Sequence, residues 1–190
     1  MIDNKIKILR EKFKKFGVDG YIVPKNDEFF SEYAENDRLK NISNFSGSAG
    51  IAIFLNKKNY LFVDGRYTIQ AQQESAKNFD IMEIHRGLPH TIIKNYKLGY
   101  DPKLFTSKNL KNYFINNILI PINDNLVDQI FKFNKRKNKS FYSLEKKIVG
   151  ETHQSKISKI SNFLKSNNTD YLFISAPENV AWLLNIRGHD

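Results

Sequence analysis

The stretch FSGSAGIAIFLNKKNYLFVDGRYTIQAQQES, residues 45–75, decides which fold this sequence predicts. Two apolar runs, 51–55 and 59–64, flank the polar segment 56–58, and this arrangement predicts a β-hairpin. The next segment, 65–76, has no proline and no internal glycine, so we expect a helix whose first turn is capped by the Asp64 carboxylate. A hairpin joined directly to a helix indicates a mixed α/β fold.

On the amino-terminal side, the sequence predicts a helix followed by a buried strand. Ile6, Leu9, Phe13 and Phe16 recur at three- and four-residue spacing over residues 3–16, which is typical of one apolar helix face. Gly17 suits the position after a helix end. We expect the strand at 20–24, stopped by proline, and loop with a short helix in the polar segment 25–44.

On the carboxyl-terminal side, shorter elements alternate up to residue 131. The predicted elements are a strand at 79–85, a short helix at 88–96, a strand and turn at 97–102, a helix capped by Thr106 or Ser107, an edge strand at 117–122 and a short helix at 125–131. Pro121 places the 117–122 strand at an edge, because proline cannot donate to a ladder.

The composition then changes, which predicts a domain boundary. Residues 132–140 are charged and lack an apolar period, so we interpret them as a linker between a first domain, 1–131, and the start of a second, 141–190. The second unit is predicted as a helix containing Ile157 and Ile160, a strand at 170–175, a helix beginning at a Ser175–Glu178 capping box, and a strand from Asn185. This unit is expected to be incomplete, since one parallel pair of strands cannot cover its helices.

Composition excludes several classes of protein. The 190 residues contain no cysteine, which excludes disulfides, a cysteine nucleophile and cysteine-zinc sites. No apolar run approaches ~18 residues, so no membrane span is expected, and the charged first residues lack a signal-peptide core. We therefore expect a cytoplasmic location. The net charge of +10 raises a nucleic-acid hypothesis, but the densest basic run, 132–139, has one aromatic residue and no known motif, so we disfavour it.

The residues themselves indicate no active site. His85, His90, His153 and His189 are not spaced at i+3 or i+4 from one another, and we predict no metal site in this chain. The glycine-rich SGSAG, residues 46–50, precedes a strand rather than a helix, so close packing or a tight turn explains it better than phosphate binding.

Four other stretches together with 45–75 resemble the creatinase/prolidase N-terminal domain, and among its members the Xaa-Pro aminopeptidases. The first match is the Phe-Ser-Gly-Ser-Ala-Gly turn followed by Asp-Gly-Arg-Tyr in 45–75. The others are VPKNDEFFSEY (23–33), LGYDP (98–102), NLVDQIF (125–131) and ENVAWLLNIRGHD (178–190). They occur in the family order and cover the chain from end to end.

The resemblance implies a creatinase N-terminal-like mixed-sheet domain followed by a truncated second domain of the same type. Larger members carry a third, pita-bread domain in which two divalent ions, usually manganese, are held by two Asp, one His and two Glu. A water between those ions attacks the bond between a first residue and proline. None of these ligands can be assigned here, so this chain is expected to be an inactive fragment that holds no cofactor.

The resemblance also suggests three residues that contact substrate: Arg66, Tyr67 and Arg187. An arginine can bind a substrate carboxylate with two hydrogen bonds. The structural alternatives, which we favour, are that Arg66 pairs with a nearby carboxylate, that Tyr67 belongs to the core, and that Arg187 forms a turn or domain contact. Asp64 is interpreted as a helix cap rather than a catalytic acid, and His189 replaces a small residue of the family pattern.

Two functions follow from the resemblance. In the first, the chain is the non-catalytic N-terminal region of an Xaa-Pro aminopeptidase, limiting active-site access and supporting a homodimer of the full-length protein that acts on peptides with proline second. In the second, it is a binding module of a peptidase-like protein that has lost catalysis. A membrane partner is not expected in either case.

Overall fold

The computed structural model of the chain describes residues 2–31, 36–131, 133 and 140–188, and it divides into two compact units, 1–134 and 135–190. Most of the predicted linker, 132–140, lies outside the described residues, as does His189. The basic run at 132–139 also falls there, except for Phe133.

The first unit is built on one mixed sheet of six strands among its described residues. The strands are β1 (Gly20–Pro24), β2 (Gly50–Leu55), β3 (Asn59–Val63), β4 (Asp80–Glu83), β5 (Lys97–Tyr100) and β6 (Ile118–Pro121). Their order is β4-β3-β2-β1-β5-β6. The pairs β1–β2 and β2–β3 are antiparallel, and β3–β4, β1–β5 and β5–β6 are parallel. The predicted mixed sheet is thus confirmed, as is the hairpin of residues 51–64.

Helices of the first unit cover both faces of the sheet. They are α1 (Ile2–Phe16), α2 (Arg38–Ser43), α3 (Thr68–Ser75), α4 (Pro89–Ile92) and α5 (Ser107–Phe114), with 3-10 turns at Gly65–Tyr67 and Pro102–Leu104. Successive residues of β1 enter opposite cores, since Tyr21 packs in a cluster with Leu9 and Phe13, whereas Ile22 packs in one with Phe114. All five residues of β1 are buried, as expected of a central strand.

The helix predicted at the start of the chain forms as expected. Ile6, Leu9 and Phe13 of α1 are buried on one face, and Gly17 follows the helix with φ 62°. A positive φ is easily adopted by glycine, which explains its position at the helix end. The predicted edge position of the strand containing Pro121 is also confirmed, because β6 is the last strand of the sheet.

Two predicted helices of the first unit are corrected. The helix expected at 65–76 begins with the 3-10 turn Gly65–Tyr67 and becomes α-helical at Thr68. The helix expected at 125–131 is a series of turns. There the Asn125 side-chain oxygen accepts a hydrogen bond from the backbone N–H of Val127 at 2.9 Å, and such local bonds compete with helix formation.

The second unit contains three helices and a short two-stranded ladder among its described residues. They are β7 (Tyr142–Ser143), α6 (Lys146–Val149), α7 (His153–Ser166), α8 (Pro177–Leu184) and β8 (Ile186–Arg187). The strands β7 and β8 pair antiparallel, with Tyr142 opposite Arg187. The sequence predicted α7, α8 and a strand near residue 186, but not β7 or α6.

Two further predictions in the second unit are wrong. Residues 170–175 are not hydrogen-bonded into a sheet with any described residue, because no strand lies beside them. The Ser175–Glu178 capping box does not form either. Pro177 is the first helical residue, so Ala176 takes the cap position and offers no side-chain acceptor.

Candidate functional site

The turn after β3 carries the residues that sequence reasoning selected in the first unit. The Asp64 carboxylate accepts hydrogen bonds from the backbone N–H and from Nε of Arg66, each at 2.9 Å. Both hydrogen bonds lower the pKa of Asp64 below its usual value, and the bond from the backbone N–H has the larger effect. The predicted capping role of Asp64 is confirmed, and the carboxylate is therefore committed to ordering this turn.

Arg66 and Tyr67 have different surroundings in the same turn. The Arg66 side chain is 73% exposed, pairs with Asp64, and lies with its guanidinium carbon 5.5 Å from the Tyr67 ring centre. The Tyr67 ring packs edge-on against Phe45 at 6.1 Å, and its hydroxyl is 2.6 Å from the Ser48 hydroxyl. These contacts match the structural alternatives, in which Arg66 pairs with a nearby carboxylate and Tyr67 belongs to the core. Contact of either residue with substrate stays a prediction.

The SGSAG turn is held against the same aromatic residues. A Cβ added to Gly47 would lie 2.4 Å from the Phe45 ring and 2.8 Å from the Tyr67 ring. These distances are too short for any side chain at that position, so glycine is required by close packing. The interpretation of SGSAG as a packing turn is confirmed.

His85 and Glu83 lie beside Asp64 because β3 and β4 are parallel neighbours that end at the same edge. His85 Nε2 is 3.8 Å from the Asp64 carboxylate, and Glu83 pairs with Arg86 at 3.0 Å. The residues that the structure describes contain no group of three His, Cys, Asp or Glu side chains that could hold a metal ion. The edge is a network of ion pairs between neighbouring charges.

A polar cavity of about 570 Å³ opens at the carboxyl ends of β1, β5 and β6, where open α/β sheets commonly bind ligands. It is lined by Lys15, Phe16, Glu28, Arg38, Asp101, Lys103, Asn123, Asp124, Asn125, Asp128 and Gln129. Both signs of charge are present, so the cavity suits polar groups rather than an apolar ligand. Sequence reasoning did not identify it.

A bidentate ion pair between Arg38 and Asp128 forms one wall of this cavity. Arg38 donates from Nε and Nη2 to the two carboxylate oxygens of Asp128, at 2.6 and 2.9 Å, and lies 3.5 Å from Glu28. The bond to Asp128 is the main cause of the raised pKa of Arg38. Because this fork joins α2 to the NLVDQIF segment, 125–131, it explains what that family-like segment does structurally.

Buried polar groups continue below the cavity. The Asp101 carboxylate accepts from the Asn125 amide at 2.9 Å, and both residues are buried. The Tyr21 hydroxyl accepts from the backbone N–H of Leu126 at 3.3 Å, and burial raises the pKa of Tyr21. These bonds hold the segment 125–131 against β1 and β5.

In the second unit, Arg187 lies on β8 and turns back on its own chain. Its Nη1 donates to the backbone oxygens of Ile186 at 2.7 Å and Ala181 at 3.4 Å. The Arg187 side chain is exposed, and its present contacts match the turn-forming alternative. Whether it meets substrate stays a prediction.

A buried lysine, missed by sequence reasoning, joins α7 to the end of α8. Lys156 is 4% exposed, and its ammonium donates to the Trp182 backbone oxygen and to Asn185 Oδ1, each at 2.7 Å. The same ammonium lies 4.1 Å from the Trp182 ring centre. Asn185 in turn donates to the Glu151 backbone oxygen at 2.9 Å. Lys156 is one of three lysines on α7, with Lys159 and Lys165, so the sequence gives no signal for such a role.

Family models match both units. The description "Creatinase/Prolidase N-terminal domain" applies to the models that match residues 5–128 and 132–190. The chain belongs to the creatinase/prolidase N-terminal domain family. The resemblance in motifs is thereby confirmed.

Relatives extend this match across both units. A probable Xaa-Pro aminopeptidase P of Laccaria bicolor is 33% identical over 96% of this chain, and Xaa-Pro aminopeptidase 1 of Dictyostelium discoideum is 32% identical over all of it. The chain spans about a third of these relatives, 31% and 34% of their lengths.

A solved structure agrees with the fold. An X-prolyl aminopeptidase of Caenorhabditis elegans, described as a cytosolic enzyme with a di-nuclear active site, matches 98% of this chain with a TM-score of 0.75 and 26% identity. The match covers 35% of that enzyme. Within the described part of the chain, no helix has both the length and the apolar character that crossing a bilayer requires.

Proposed function

We propose that this chain acts as the non-catalytic N-terminal region of a metal-dependent Xaa-Pro aminopeptidase, an enzyme that cleaves between an N-terminal residue and proline. One observation carries the proposal. Relatives named as Xaa-Pro aminopeptidases are at least 30% identical to it over both of its units. A cytoplasmic location is part of the same proposal, supported by the cytosolic relative from Caenorhabditis elegans. A homodimer of the full-length protein is also proposed, on the resemblance to the family alone.

The two metal ions of such an enzyme do not fit the described residues of this chain. Asp64 is bonded to Arg66, and Glu83 is paired with Arg86. Since no three ligand side chains converge in the described ranges, we assign no metal-dependent step to this chain. Its proposed roles are to limit access to an active site carried elsewhere in a longer protein and to support assembly.

Arg66 is the best candidate for a substrate contact, because its guanidinium is held in place by Asp64 and Tyr67 while most of its side chain remains exposed. In that role it would attract the carboxylate of a short peptide, favouring short substrates. Tyr67 would orient Arg66 through its ring, and Arg187 would serve in the same way in the second unit. These roles rest on the resemblance to the family.

The test compares the 190-residue chain with the full-length protein. We expect hydrolysis of an Xaa-Pro tripeptide by the full-length protein with manganese, loss of that activity with a chelator, and none from the chain alone. Hydrolysis by the chain alone would contradict its non-catalytic role. A full-length protein without peptidase activity would favour the binding module instead.

A paired substitution tests Arg66 in the full-length protein. We expect Arg66→Ala to raise KM for a tripeptide several-fold with little change in kcat, because it removes a contact made equally in the ground and transition states. Arg86→Ala is the matched control, since Arg86 is an exposed arginine at the same sheet edge, paired with Glu83. Equal kinetics in the two variants would show that Arg66 is only structural.

A further inference from the structure

The polar cavity of the first unit has the size and position of a small-molecule site. Residues of the stretches 23–33, 98–102 and 125–131 line it together. They meet there because β1, β5 and β6 are parallel, so the segments that follow these strands leave the sheet at one edge. The cavity volume of about 570 Å³ lies within the range of about 300–1,000 Å³ that is typical of ligand pockets.

A buried carboxylate with neutral hydrogen-bond donors lines this cavity. Asp101 is 3% exposed. One of its oxygens accepts from the backbone N–H of Lys103 at 3.0 Å, and the other accepts from the Asn125 amide at 2.9 Å. Across the described ranges, Asp101 takes part in no ion pair. Because an ionised carboxylate can accept about four hydrogen bonds, about two positions remain for a further donor.

The guanidinium in the same cavity is already neutralised by other carboxylates. Arg38 binds both oxygens of Asp128 and lies 3.5 Å from Glu28. It interacts with Asp101 electrostatically, but none of its bonds reaches that residue. Buried charges in proteins are normally paired, so the surroundings of Asp101 favour a cationic group in the cavity. An organic ammonium fits better than a metal ion, since no three ligand side chains converge among the described residues.

The cavity also presents cations to an incoming ligand. Lys15 and Lys103 line it with exposed side chains, and neither forms an ion pair within the part of the chain that the structure describes. The charged residues that line the cavity are the carboxylates of Glu28, Asp101, Asp124 and Asp128 and the cations of Lys15, Arg38 and Lys103. The cavity therefore carries four negative and three positive charges, although the whole chain has a net charge of +10. A ligand with one sign of charge would be repelled by part of this wall, whereas a zwitterion can satisfy both signs.

We propose that the cavity binds a free α-amino acid, with the ligand's ammonium group at Asp101 and its carboxylate at Lys103. The two residues belong to one turn, which the bond from the Lys103 backbone N–H to Asp101 closes. Their opposite charges therefore lie close together, as the two charges of an amino acid do. The inference goes beyond the proposed function and does not depend on it, because the cavity lies within the first unit and needs no peptidase chemistry.

A titration of the 190-residue chain with three related probes tests the proposal. We expect L-glutamine to cause saturable shifts of the backbone amide signals of Lys103, Asn125 and Val127 in ¹⁵N NMR spectra, with a Kd of about 1 mM. N-acetyl-L-glutamine lacks the ammonium group and L-glutaminamide lacks the carboxylate. Each should bind at least about 10-fold more weakly, since each loses one charge-assisted contact.

Substitutions locate the two contacts. Asp101→Asn keeps the shape of the side chain but removes its charge, and Lys103→Met keeps the apolar stem but removes the ammonium. We expect each variant to bind L-glutamine at least about 10-fold more weakly. Lys108→Met is the matched control, because Lys108 is an exposed lysine nearby in sequence that does not line the cavity. It should bind L-glutamine as the parent chain does. Since Lys103 is exposed, its variant keeps the proposal testable even if Asp101→Asn does not fold.

Several outcomes would overturn the proposal. One is the absence of saturable shifts with L-glutamine, L-glutamate and L-lysine at about ten times the expected Kd. Equal shifts with N-acetyl-L-glutamine would mean that the probe only screens surface charge. Equal binding by Lys103→Met and Lys108→Met would remove the carboxylate contact, and saturable binding of putrescine in place of amino acids would make the ligand a polyamine. Because no measurement here uses peptidase activity, the proposed function stands or falls separately.

Discussion

The helix α1 and the helix α7 share a capping pattern but differ in what covers them. Leu9 of α1 lies eight residues before Gly17, which has φ 62°, and is 0% exposed. Ile160 of α7 lies eight residues before Asn168, which has φ 49°, but is only half-buried. The comparison shows that local sequence determines where a helix begins and ends. Burial of its apolar face depends on residues that are distant in sequence, as the packing of Leu9 with Phe54 and Leu61 in one cluster shows.

The largest expected effect comes from truncating Leu9, the buried residue of the two. Leu9→Ala should lower the free energy of unfolding of the first unit by about 2–5 kcal/mol, because it deletes a fully buried side chain and leaves a cavity. Ile160→Ala should cost about 1 kcal/mol or less, since its surroundings are open to water. Urea unfolding followed by far-UV circular dichroism measures the first, and fluorescence of Trp182, the only tryptophan of the sequence, measures the second.

One result would contradict the expected difference between Leu9→Ala and Ile160→Ala. Equal losses at Leu9 and Ile160 in the 190-residue chain would mean that α7 is covered as well as α1.

The second unit compensates for its open face with a polar contact inside. Lys156 is as buried as the residues of the first core, and it donates to Asn185 Oδ1 and to the Trp182 backbone oxygen. The Trp182 oxygen also accepts from the Asn185 backbone N–H, at 3.4 Å. Lys156→Met keeps the length and apolar stem of the side chain but removes the ammonium. We expect the free energy of unfolding followed by Trp182 fluorescence to fall by about 2–3 kcal/mol, because the Asn185 amide oxygen is left unpaired. The Trp182 carbonyl keeps only its 3.4 Å bond from the Asn185 backbone N–H.

The matched control for Lys156 lies one turn along the same helix. Lys159 pairs with Glu151 at 2.8 Å, but its side chain is 71% exposed. Lys159→Met should therefore change the unfolding free energy by less than about 1 kcal/mol. If the two variants were equally stable, the contact of Lys156 with Trp182 and Asn185 would be unimportant to the second unit.

The sequence was sufficient where local chemistry decides the structure. The hairpin of 51–64, the Asp64 cap and the packing of SGSAG all depend on residues within about twenty positions of one another, and each was predicted. The Arg38–Asp128 fork and the Lys156 contacts were not. They join residues 90 and 26–29 positions apart, and neither pair has a spacing that a periodic pattern can reveal.

The segment 170–175 shows the opposite limit, because the sequence predicted a strand that does not form. Its apolar and aromatic residues predicted a strand, but the segment lies in neither a helix nor a strand. A strand also needs a neighbour to accept its hydrogen bonds, which the segment itself cannot specify. The family resemblance predicted a second domain of the same type, and both units do match models of that description.

The smallest expected effect is a dependence of the second unit on pH. The ammonium of Lys159, and then the hydroxyl of Ser155, donate to the Glu151 carboxylate and lower its pKa from the usual value. Because the folded pKa lies below the unfolded one, about 4.3, the contribution of Glu151 is fully present above that value. It is lost as the pH falls through the folded pKa. Since the group is exposed, we expect a shallow loss of stability in the Trp182 transition below about pH 4.5.

Substitution of Glu151 isolates this contribution from the general effect of acid. Glu151→Gln keeps the side-chain shape but cannot titrate. The difference in stability between the parent chain and the variant should therefore vanish at low pH, grow as the pH rises through the folded pKa, and level off above the unfolded pKa. Asp64 of the first unit has a lowered pKa for a similar reason, through Arg66, but it is distant in sequence from the Trp182 reporter. A difference that stays constant between pH 3 and 6 would show that Glu151 supports α7 by packing rather than by charge.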